Sequence, residues 1–155
     1  MDWSAIFAGI AALTAIAGLI YSIRQHRNNV RNEFLLWAIE RLDASDQREG
    51  RGLVFILGKD EEKKQELIER IEKGELYGED YNKIRSVFTL FNQIGYFWLR
   101  FGYGKREDAL TLFPQIIRIW EIGKPIINAI RSRPGQSASF VYFERLARKL
   151  SHLHR

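Results

Sequence analysis

The chain has 155 residues, 24 basic and 19 acidic side chains, a formal charge of +5, three histidines and no cysteine. That length holds one domain of ordinary size plus an attached element. Zero cysteine excludes a disulfide scaffold, a thiol nucleophile and a cysteine-ligated metal site.

The first element is apolar. Trp3 to Ile23 reads WSAIFAGIAALTAIAGLIYSI, 21 consecutive residues without a charge. As a helix it is about 31 Å long, close to the hydrocarbon thickness of a bilayer. A buried helix in a soluble domain shows a polar stripe, and only Ser4, Thr14 and Ser22 are polar here. Trp3 and Tyr21 stand at the two ends, where amphipathic rings favour the membrane interface. A cleaved signal peptide carries a basic start and a shorter apolar core, and this run begins after Met1-Asp2. The expectation is a retained transmembrane anchor over residues 1–23. Arg24, Arg27 and Arg31 follow it directly, which orients residues 24–155 toward the cytoplasm as a single-pass protein of the cell (inner) membrane. Small residues recur four apart: Ala5 with Gly9, Ala8 with Ala12, Ala11 with Ala15, and Thr14 with Gly18. That spacing lets helices approach closely in lipid and suggests self-association.

The rest reads as all-α, a compact bundle of five or six helices without strand alternation. A helix over Arg24 to Asp43 carries Phe34, Leu35, Trp37, Ala38, Ile39 and Leu42. Ser45 begins a second, which ends at Gly58. Asp60 caps a charged third that Gly74 ends. The fourth, from Asp80 to Phe101, has two apolar stripes: Tyr81, Ile84, Phe88, Phe91, Gly95 and Trp98, and Val87, Leu90, Ile94, Phe97 and Phe101. Two stripes predict the central helix of the bundle. A fifth spans Pro114 to Arg131, with Pro125 predicting a kink near Gly123. A sixth runs from Ser137 to Leu150.

Charge is distributed unevenly along these helices. After Ile23 there are 24 bases and 18 acids, a net of +6. Lys59 to Asp80 holds nine acids and five bases, leaving the remainder about +10. Basic side chains gather beside the apolar segment, at Arg24, Arg27 and Arg31, and near the C-terminus, at Arg145, Arg148 and Lys149. Each contributes about 1 kcal/mol beside an anionic leaflet, so these six are candidates for binding lipid headgroups or another anion. Nucleic acid is not expected as a direct partner, because no nucleic-acid motif accompanies the charge.

Motifs for catalysis are missing. His152 and His154 are two apart, the wrong spacing for ligands on one helical face, so no metal is expected. Gly102-Tyr103-Gly104-Lys105 lacks the earlier glycine of a phosphate loop, and Arg106 replaces its Ser or Thr. Neither an enzyme nor a cofactor is expected. A polar strip on the fourth helix, with Arg85, Asn92 and Arg100, and another on the fifth, with Arg118 and Lys124, form a candidate anion pocket if they face each other. The plainer reading is a solvated face.

The apolar start, Phe91-Asn92-x-Ile94-Gly95, Ile119-Trp120-Glu121 and Tyr142-Phe143-Glu144-Arg145-Leu146 occur in that order. This pattern resembles a family of small prokaryotic membrane proteins catalogued as a domain of unknown function. The architecture is also similar to membrane effectors of prokaryotic antiviral systems, including those paired with short Argonautes. The resemblance implies a homo-oligomer that perturbs or depolarises the membrane after a signal from a cytosolic sensor or from phospholipid. The alternative is a non-toxic anchor or adaptor that recruits a cytosolic partner.

Overall fold

The computed structural model describes residues 3–75, 78–102 and 115–152, with side chains from residue 14 onward. The described residues form six α-helices and no strands: α1 (Trp3–Asp43), α2 (Ser45–Leu57), α3 (Glu61–Glu72), α4 (Glu79–Phe101), α5 (Ile116–Arg131) and α6 (Val141–Ser151). The all-α expectation therefore holds. Two compact units are present, Met1–Leu36 and Trp37–Arg155.

In the first unit, every described residue from Thr14 to Asn29 is exposed. Ile16, Leu19, Ile20 and Ile23 are 46–63% exposed. Among the described residues no helix is long and apolar enough to cross a membrane. The expected span receives no support from them for a plain reason. The part of it with described side chains, Thr14 to Ile23, covers only about 15 Å, half of a hydrocarbon core. The remainder of the span falls on residues 1–13, whose side chains lie outside the description.

The second unit is organised by α4. Both expected stripes are real: Tyr81, Ile84, Phe88, Phe91, Gly95 and Trp98 are buried, and so are Val87, Leu90 and Ile94. The second stripe opens toward its end, with Phe97 half-buried and Phe101 exposed. One face of α4 packs on α2 and another on α6, while α5 packs against α2, α3 and α6. The approach of α2 is close because Gly50 has no side chain. A Cβ there would lie 2.6 Å from the Lys83 carbonyl oxygen. Lys83 ties the same pair together through Glu49 at 2.8 Å and Glu79 at 2.6 Å. The hydrogen bonds it donates to these carboxylates hold its ammonium pKa well above the usual lysine value.

Several helix ends follow the sequence closely. Asp60 accepts from the Lys63 amide at 3.0 Å, as a capping residue does. Gly74 and Gly102 adopt positive φ just after α3 and α4. Ser45 begins α2 as expected, with Ala44 in the cap position making no side-chain bond. Glu49 reaches Lys83. The carbonyls of Leu42 and Asp43 at the end of α1 accept from Arg51 and Arg48 of α2, each at 2.7 Å. α5 continues as one helix through Pro125. α6 begins at Val141, four residues later than expected, because Phe140 takes a left-handed φ of 59°.

Candidate functional site

Polar side chains, close backbone contact and basic charge meet where α6 lies on α4. The inward face of α6 is Phe143, Leu146, Ala147 and Leu150, spaced three and four apart, and all are buried. Phe143 stacks on Phe91 at 5.3 Å and meets Trp120 edge-on at 5.3 Å. One aromatic ring thus joins α4, α5 and α6. The outward face carries Arg145, Arg148 and Lys149, all exposed.

The start of α6 needs help from elsewhere. Its cap position is Phe140, which has no side-chain oxygen to receive the first amides. Asn92 on α4 supplies one: its Oδ1 accepts from the Tyr142 amide at 2.9 Å and the Phe143 amide at 3.2 Å. Three residues later, Gly95 lets the backbones meet. A Cβ on Gly95 would sit 2.7 Å from the Tyr142 carbonyl carbon. Phe140 is itself drawn into the core, 8% exposed, with its ring 5.8 Å from Phe88. A left-handed non-glycine residue costs about 1–2 kcal/mol. Burying the Phe140 ring offsets that cost.

Glu144 is the electrostatic centre of this contact. It accepts from Arg131 of α5 at 2.7 Å and pairs with Arg148 one turn on. Arg131 also donates through Nε to the Ser139 carbonyl at 2.8 Å, so it holds both the turn and the helix. Burial alone would raise the Glu144 pKa. The hydrogen bond from Arg131, with the charges of Arg131, Arg148 and Lys124, outweighs it and keeps the carboxyl below its usual range.

The sequence-selected residues fall in separate places. Arg24 and Arg27 are exposed and Arg31 is half-buried, all in the first unit. Arg145, Arg148 and Lys149 form one face of α6 in the second. Gly18 has open space around it. The side chains of Ala5, Gly9 and Ala12 lie outside the description. The candidate anion pocket does not form from its five residues. Asn92 is used by α6. Arg85 and Arg100 are exposed on α4. Arg118 lies over the Phe55 ring of α2 at 5.2 Å, and Lys124 faces Glu144. The helices carrying these strips turn them toward different neighbours. Arg131, Gly95 and Glu144 were not picked out as functional residues. Their signal was positional, since Gly95 and Glu144 stand in the segments that carry the family resemblance.

These features define a small all-α protein, a bundle with a central doubly apolar helix, preceded by a helical apolar unit. The chain belongs to the family described as Domain of unknown function (DUF4760), which matches residues 4–150. No curated protein and no solved structure matches it.

Proposed function

We propose that this protein is a membrane-anchored effector, of the kind used in prokaryotic antiviral defence, which self-associates on a signal and depolarises the membrane. The observation that carries the reading is the exposed apolar row of Ile16, Leu19, Ile20 and Ile23. Every described residue from Thr14 to Asn29 is exposed, so the described chain leaves that row uncovered. An uncharged run of 21 residues that ends in three arginines makes a bilayer the fitting cover. The span would be Trp3 to Ile23, with residues 24–155 on the cytoplasmic side.

Arg24, Arg27 and Arg31 then stand at the headgroups, and the basic face of α6 offers a second contact for anionic lipid. A single helix lines no pore, so depolarisation requires several copies, with Ala5, Gly9, Ala12 and Gly18 allowing close approach. No catalytic residue takes part.

The test is induced expression with a potential-sensitive dye and alkaline extraction of membranes. The expected result is a chain that resists extraction and, with its activator, collapses the potential. Extraction into the soluble fraction would overturn the anchor. An unchanged potential, with partner binding retained by a chain lacking residues 1–23, would favour the adaptor alternative.

A further inference from the structure

A groove of about 360 Å³ runs between α2, α3 and α4, away from the α4–α6 contact. Its apolar wall is Leu53, Ile56, Leu57, Leu67 and Ile84. Ile56 is 50% exposed, the most exposed large apolar side chain of the second unit among the described residues. On the rim are two cations, Lys63 and Arg70, and two anions, Glu66 and Asp80. That balance sets the groove apart from its surroundings. The outer face of α3 carries Glu61, Glu62, Glu66 and Glu69, and the outer face of α6 carries three bases.

We infer that this groove is a two-fold contact between two copies of this chain. In a two-fold contact the same patch meets itself, so it must be self-complementary. A patch of one sign sets like charges together, which excludes the outer faces of both α3 and α6. The groove meets the requirement with an apolar centre and a rim of mixed sign, in which Lys63 also pairs with Asp60 of its own chain at 3.3 Å and Glu66 borders the acidic face of α3. Ile56 of each copy enters the groove of the other beside Leu53 and Leu67. Lys63 and Arg70 then meet the acidic side chains of the opposite rim. The inference rests on the oligomer reading above, and supplies a contact outside the apolar segment.

The chain has no cysteine, so one introduced thiol reports on one position. Full-length Ile56→Cys in neutral detergent, oxidised with copper phenanthroline, should run at doubled mass on a non-reducing gel. A disulfide needs Cα atoms within about 7 Å, which a two-fold near Ile56 provides. Glu72→Cys, on the outer side of α3, should stay at single mass. Ile56→Glu should lower the dimer fraction in sedimentation, the contact in the apolar segment remaining, with an unchanged helical spectrum. Lys63→Glu should weaken it, and adding Glu66→Lys should restore it.

Equal crosslinking at both positions, or a dimer fraction that Ile56→Glu leaves unchanged, overturns the inference. So does a small amphiphile or a different protein found in the groove in place of the second copy. Membrane potential is read separately. Depolarisation without the Ile56→Cys crosslink removes this contact and keeps the effector, whereas a crosslink without depolarisation does the reverse.

Discussion

The apolar segment of α1 and the helix α6 carry the same apolar spacing with opposite exposure. In α6 Phe143, Leu146, Ala147 and Leu150 fall on one face and are buried, while Arg145, Arg148 and Lys149 face out. In the apolar segment of α1, Ile16, Leu19, Ile20 and Ile23 repeat the same spacing and are exposed. The bundle covers the apolar stripe of α6, whereas the described residues leave that of α1 uncovered. On the membrane reading proposed above, loss of the first set unfolds the bundle and loss of the second changes where the protein resides.

Substitutions should grade along that contrast. Phe143→Ala should have the largest effect, because the ring is fully buried among Phe88, Phe91 and Trp120. A loss of about 3–5 kcal/mol is expected, read as a large fall in the denaturation midpoint. If Phe143→Ala is nearly neutral, α6 is not part of the cooperative core.

Glu144→Gln comes next, with a loss of about 1.5–3 kcal/mol from its charge-assisted bonds. Acid should mimic it. The Glu144 pKa is depressed in the folded chain, so its stabilising contribution is present above the ordinary carboxylate range. It is lost as pH falls below that range and through the folded value. Glu144→Gln should flatten this part of the stability–pH profile, and an unchanged slope would count against the Arg131 pair.

Asn92→Ala should cost about 0.5–2 kcal/mol, the usual range for a lost helix cap. Asn92→Asp should retain most of the stability, because a carboxylate still accepts both amides. Amide exchange at Tyr142 and Phe143 is the direct measure, and both amides should exchange faster only in the alanine variant.

Leu19→Gln should have the smallest effect on bundle unfolding, below about 0.5 kcal/mol, as for an exposed side chain. It should still lower the fraction of protein that sediments with membranes. A large drop in bundle stability would show that α1 is covered by the protein itself and would remove the contrast.

The apolar spacing of α4 announced both of its buried stripes, and Asp60, Gly74 and Gly102 marked helix ends through local chemistry. These features depend on residues within one or two turns of each other. The expected anion pocket depended on how two helices face, and that was not legible. Asn92 looked like one member of a polar strip, yet it is spent on amides 50 and 51 residues further along the chain.

By itself the sequence determined the helical class, the central place of α4, the uncharged apolar start and the uneven charge. Periodicity and composition are local, and they fix which side of a helix avoids water. Tertiary structure alone decided that Asn92, Gly95, Glu144 and Arg131 join three helices. It alone placed Ile56 above a charge-balanced groove. Those facts depend on close approach between distant segments, where a missing Cβ or one carbonyl oxygen decides what fits.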